Sequence, residues 1–439
     1  TMPPDLTPPD HAAPDQTAPD LTVPDHAVPD QAAPDLAEPD MPTPDLAIPD
    51  QAIPDQAIPD QTMPDLLAPD LFPQVKVLNP MGTKINQTNK PHPTYYNPAI
   101  ARGGNGYLVA WHTATYNTST VHGGLVSLAG AVTTTKDLEI FLGKYTQAWP
   151  AMASDGKGYL VAWSTSHGVK ARVVDQNGKL GAWPITISSS ASSEPPAVSC
   201  DGTDYLVIWR YGTEVLARKV TAAGTVLGTA DIKVSADLTR KKARPEAAYS
   251  GKEHLVVWED DQTTGGTGRD LHGRVVSKAG IPQGSADLII SKAVNTQNYA
   301  AVASDGKDFM VVWADYRVHV SWPAIAAARV QVSPSLKVLD SQGIVIKAST
   351  TNYSQPTVAY GGGKYLVTWH RASGGRYIFG SRVLPSGTLL DSKPFQITTY
   401  TGPQYVPSAA YGGSDFMVVW GDYRPGNGIW SIHGTRVVP

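Results

Sequence analysis

The sequence predicts an all-β protein, a seven-bladed β-propeller closed by an N-terminal strand and preceded by an extended, polyproline II-like repeat arm. Three observations carry this expectation. A motif ending in tryptophan recurs seven times, at Trp111, Trp163, Trp209, Trp258, Trp313, Trp369 and Trp420. Each copy contains short apolar runs separated by turn residues, the pattern of successive β-strands. Ahead of the copies, Pro-Asp recurs at every fifth residue from Asp5 to Asp70.

The arm, residues 1–73, comes first in the chain. Proline fixes its own φ, pushes the preceding residue into extended geometry and offers no N–H, so helix and sheet interior are both disfavoured. The residue after each Asp cycles through Leu6, His11, Gln16, Leu21, His26 and Gln31 before the cycle fades beyond Met41. With three residues per turn of polyproline II, a super-period of fifteen brings Leu6, Leu21 and Leu36 onto one face. At about 3.1 Å per residue such a rod reaches roughly 200 Å. The first glycine is Gly82, which excludes collagen.

Charge separates the arm from the rest of the chain. Residues 1–75 contain fourteen Asp, Glu38 and no Lys or Arg, a charge of −15; the remainder, with all 35 Lys and Arg against 24 acids, carries +11. Single carboxylates spaced along a rod cannot converge on a calcium ion, which takes six to eight oxygens. Asp5, Asp10 and Asp15, with Leu6, Leu21 and Leu36, are therefore expected to act in lateral assembly with other copies.

The body, residues 74–439, is parsed by the repeat. A Pro-Ala-Val-type strand (196–199, 300–304) leads through a Gly-containing turn to an apolar strand such as "GYLVAW". A third strand carries Arg-Val, as in "KARVV" and "GTRVV", and a fourth follows a second Gly turn, as in "SGTLLDSKPFQI". The chain stops after the third strand of the seventh copy, and a matching strand-Gly-strand piece, "QVKVLNPMGTKINQT", stands before the first. Pairing the two closes the ring and removes exposed edges.

These units resemble the tandem-repeat β-propellers of bacterial secreted proteins and lipoproteins. The resemblance spans residues 74–439, is strongest at Asp315-Tyr316-Arg317 and Asp422-Tyr423-Arg424, and departs in the first three copies, which have no Asp-x-Arg. Pro-Asp-rich arms ahead of such bodies look like those of secreted proteins of predatory and soil bacteria. The resemblance implies the fold and an extracellular or cell-surface location, and says little of activity.

For the chemistry, the seven repeated tryptophans are expected in the core between blades. The recurrent Arg172, Arg218, Arg274, Arg329, Arg382 and Arg436 are expected to bridge blades to Asp or carbonyl groups. Trp322 and Trp430 fall outside the anchor position and are the candidate ligand-binding aromatics, as exposed loop residues. His112, His167 and His370 show no metal spacing, and Cys200 reads as a packed thiol. No nucleophile elbow, phosphate loop or dinucleotide fingerprint occurs, so no enzyme activity, metal or cofactor is expected. No apolar run reaches membrane-span length, and the acidic arm opposes nucleic-acid binding. The reading is a non-enzymatic extracellular structural protein whose arm self-associates into a filament or surface layer. Its alternative is a surface binding module that recognises a glycan or protein from a flexible stalk.

Overall fold

The computed structural model describes residues 74–87, 94–114, 118–144, 149–190, 194–261, 268–372, 376–424 and 429–439. All described residues belong to one compact unit. The Pro-Asp arm, with Asp5, Asp10, Asp15, Leu6, Leu21 and Leu36, lies outside them.

Seven antiparallel sheets make up the described chain, and there is no helix among the described residues. Blade 4 shows the pattern: Lys242–Tyr249, Glu253–Asp261, Arg269–Ser277 and Leu288–Ser291 pair in sequence order from inside to outside. The first strands of the other blades are Thr94–Arg102, Pro150–Ser154, Ala197–Cys200, Gln297–Ser304, Tyr353–Gly361 and Gln404–Tyr411. Each touches the first strand of the next blade, and Gln404–Tyr411 touches Thr94–Arg102, so the seven form a ring.

In blade 7 the outer position is taken by N-terminal residues. Lys76–Val77 and Thr83–Lys84 both pair antiparallel with Ile429–Val438, placing Lys76 opposite Val438 and Thr83 opposite Gly434. Gly82, at φ +70°, lies so close to Trp420 that a Cβ there would sit 2.5 Å from the indole Cζ2. Only glycine gives both the backbone angle and the space.

The core is divided among the blade interfaces. Seven clusters of buried apolar residues occur among the described residues, and each combines two adjacent blades, the blade 7 and blade 1 interface included. Every repeated tryptophan is fully buried in the cluster it shares with the preceding blade. Neighbouring blades cover both faces of each second strand, so Tyr107 to Trp111 are buried without a break. That explains why these strands read as unbroken apolar runs rather than alternating ones.

The Asp-x-Arg sequence has a structural use. The Trp313 indole N–H donates to Asp315 Oδ2 at 2.9 Å, which also pairs with Arg317. Blade 7 repeats this with Trp420, Asp422 and Arg424. In blades lacking the motif the indole N–H of Trp111, Trp163, Trp209, Trp258 and Trp369 has no partner.

The recurrent arginines mostly bind within their own blades. Arg382 grips Asp391 and Arg329 grips Asp340, each on the turn that follows the third strand; Arg218 takes Asp231. Arg274 pairs with Asp287. Arg172 also donates to Ile140 O of blade 1, and Arg436 reaches Ala129 O of the same blade. Bridging between blades, expected of all six, is seen for Arg172 and Arg436. The third strand sits nearer its own outer turn than the next blade, which is why the local carboxylate wins.

Candidate functional site at the central cavity

The seven first strands enclose a central cavity of about 410 Å³. One position on each contributes a ring at its lining: Asn97, Trp149, Pro195, Arg244, Tyr299, Gln355 and Val406. In six blades the next residue is proline; in blade 5 it is Ala300. Five ring residues have left-handed backbone, with φ of 49° at Asn97, 43° at Arg244, 54° at Tyr299, 50° at Gln355 and 48° at Val406. At each of the five the pairing with the second strand slips, as between Tyr96 and Ala99 or Ala243 and Glu246. The ring is therefore a row of β-bulges, which re-aim a side chain at the cost of backbone strain.

Carboxylates of neighbouring segments hold two of the bulges. Glu194 Oε2 accepts the Arg244 N–H at 2.7 Å, and Glu259 Oε1 accepts the Tyr299 N–H at 2.8 Å. Glu259 is fully buried and also binds the Arg244 and Arg269 guanidinium groups. Arg244 lies flat over the Tyr299 ring, its Cζ 4.4 Å from the centroid. Its charge is thus committed before any ligand arrives.

Two residues beyond each ring position the lining residues are Ala99, Ala151, Ala301, Thr357 and Ser408, and in blade 4 Glu246. The equivalent Ala197 of blade 3 is buried. One step further the lining turns apolar, with Ile100, Met152, Val198, Ala247, Val302 and Val358. Glu246 keeps an open face toward the cavity, but protein from all seven blades crowds it, and desolvation pushes its carboxyl up to about 8.

The aromatics singled out in the sequence lie apart, on blades 5 and 7. Trp322 sits in the loop after Phe309–Asp315, 47% exposed, stacked on His319 with centroids 4.4 Å apart. Trp430 is not an exposed loop residue. It lies within the strand Ile429–Val438, half-buried against the blade 7 and blade 1 core and against Tyr405 and Tyr423 at 5.4 and 5.2 Å. It follows closely on the sequence Pro425-Gly426-Asn427-Gly428, which reads as a turn, whereas the strand simply runs past the repeat's usual start.

Among the described residues no group of three or more His, Cys, Asp or Glu converges as a metal site. His112 packs edge-on against Trp149, His167 bonds Ser166, and His370 packs against Tyr405. Burial, then Arg376, lowers the His370 pKa to about 4. Burial raises the Cys200 thiol to about 11, consistent with a packed rather than a reactive group.

No family model matches the chain, and no curated protein matches its sequence. Solved structures similar to it include the β-propeller domain of the Trilobed protease from Pyrococcus furiosus, 10% identical, covering 79% of this chain and 95% of that one with a TM-score of 0.48. TolB from Acinetobacter baumannii is 10% identical over 71% of this chain and 81% of its own, with a TM-score of 0.39. A neuraminidase-like protein from A/bat/Guatemala is 10% identical over 83% and 94%, with a TM-score of 0.45. At these identities and scores the likeness goes no further than the fold.

Proposed function

We propose that the propeller is a ligand-binding module, displayed outside the cell, whose central cavity receives a polar ligand of saccharide type at the ring. One observation carries this reading. Seven copies of a unit repeat the same Trp and the same apolar second strand, and five of them the same Pro-small strand start, yet the ring position holds seven different residues. A purely structural position in a repeat is filled by what the frame needs. Here the frame needs a bulge, and the side chains it carries differ.

Their chemistry suits a carbohydrate. Trp149 and Tyr299 supply aromatic surface, and Asn97 and Gln355 supply planar amides that donate and accept at once. Such a mixture of apolar faces and a few directed polar groups is what small-molecule sites use. The assembly role of the arm concerns residues 1–73; in this reading the arm holds the propeller away from the surface. Binding requires no catalytic step, and no acid and base are assigned to one.

A glycan array probed with the full chain tests the reading. Binding that falls on Asn97→Ala and Gln355→Ala, and survives Trp322→Ala, is the expected result. Binding lost with Trp322→Ala and kept by both ring variants moves the site to the blade 5 loop and rejects the reading.

A further inference from the structure

We propose that the cavity holds the ammonium group of an amine-bearing ligand against Glu246. This rests on the reading above and names the part of the ligand that the deeper lining selects. Where the other blades place Ala, Thr or Ser, blade 4 alone places a carboxyl. Among the described residues Glu246 makes no hydrogen bond or ion pair, and desolvation is the single cause of its raised pKa. Nearby acids are occupied: Glu194 by the Arg244 N–H, Glu259 by Arg244 and Arg269.

Glu246 is exposed to the cavity above an apolar floor, so its carboxylate is open to a cation that enters there. The other charged groups of the lining are Glu194 and Arg244, with Tyr299 the other titratable one. Arg244 already lies between Glu259 and the Tyr299 ring, so a cation for Glu246 has to come with the ligand. One carboxylate is too few oxygens for calcium. A primary ammonium, compact and with three N–H donors, suits one carboxylate plus the hydroxyls that Thr357 and Ser408 add to the same level of the lining. With the Glu246 carboxyl at about 8, pairing at pH 7 sends its proton to solvent.

The test titrates the full chain by calorimetry with three probes: a glucosamine trimer, its fully N-acetylated counterpart, and spermidine. The amine trimer is expected to bind about tenfold to a hundredfold tighter than the acetylated one. It should also release a proton, seen as a heat that varies with the ionisation enthalpy of the buffer. Glu246→Gln should abolish both the preference and the proton release. Glu246→Ala, which gives blade 4 the residue of blades 1, 2, 3 and 5, should do the same with the fold intact. Equal binding of the two trimers overturns the ammonium proposal and leaves the saccharide reading standing. Amine binding that depends on Glu246 but ignores Asn97→Ala and Gln355→Ala upholds the proposal and removes the ring from it. Failure of both trimers and spermidine to bind overturns both.

Discussion

The walls of this propeller and the lining of its cavity are built from the same seven units under opposite demands. In the walls, each interface repeats one solution: a fully buried tryptophan packed on the preceding blade. In the lining, equivalent positions of the first strands diverge to Asn, Trp, Pro, Arg, Tyr, Gln and Val on a bulged backbone. A wall residue answers to two neighbouring sheets at once, so volume and shape fix it. A lining residue packs on fewer neighbours and can also answer to what enters the cavity. Divergence against a repeated frame is the observation on which the proposed binding role rests.

The comparison is broken most severely in the walls. Trp209→Ala is expected to cost about 3–5 kcal/mol, because the blade 2 and blade 3 cluster cannot collapse around the void. Removing Asp260, whose carboxylate lies 3.0 Å from Lys242 Nζ with both groups fully buried, leaves an unpaired buried ammonium at a similar cost of about 3–5 kcal/mol. Urea unfolding of both variants should show midpoints far below wild type; a drop of less than a third of this size would mean the walls tolerate what the repeat forbids.

Smaller losses separate the blades from one another. Asp315→Ala strips the Trp313 indole and Arg317 of their partner and is expected to cost about 1–3 kcal/mol. Blade 2 lacks this carboxylate, so Thr165→Ala, at the matching position, should cost less than Asp315→Ala in the same unfolding assay. The lining behaves differently again. Val406 is β-branched at φ 48°, and replacing it by the Asn that blade 1 uses at this position should gain about 1 kcal/mol. A loss on Val406→Asn would show that the valine packs as a wall residue does.

The pH dependence sharpens the comparison in a different way. Burial lowers His254 and His370 to about 4 and His433 to about 3, so the unfolded chain binds more protons than the folded one below pH 6.5. Stability should therefore fall as pH drops from 6.5 toward 4. Glu246 has the opposite sign. Its folded carboxyl, raised to about 8, holds a proton that the unfolded chain has lost, so its contribution weakens as pH rises from about 4.5 to 8. Melting curves across pH 5–9 should lose that alkaline decline in Glu246→Gln; an unchanged slope would place Glu246 in bulk-like water.

Much of this was legible in the sequence. The tryptophan period gave the number of blades, and the unbroken apolar second strands gave their double-sided burial. The ring was missed because it stands immediately before each Pro-small start, where the copies look least alike. Read in register, "NPAI", "WPAM", "PPAV", "RPEA", "YAAV", "QPTV" and "VPSA" show a fixed frame, a varying first residue and one glutamate among small side chains. Trp322 and Trp430 differ from the repeat more visibly, without facing the cavity. The backbone strain and the partners of Arg244 have no sequence signal, since they depend on residues 15 to 55 positions away.

The most direct measurement is a crystal structure of the full chain bound to the tightest ligand found on the array. The ligand should lie in the central cavity, with hydrogen bonds to Asn97 or Gln355 and its amine beside Glu246. A ligand seated on the Trp322 loop or on the outer strands, with the cavity holding only water, would contradict the account.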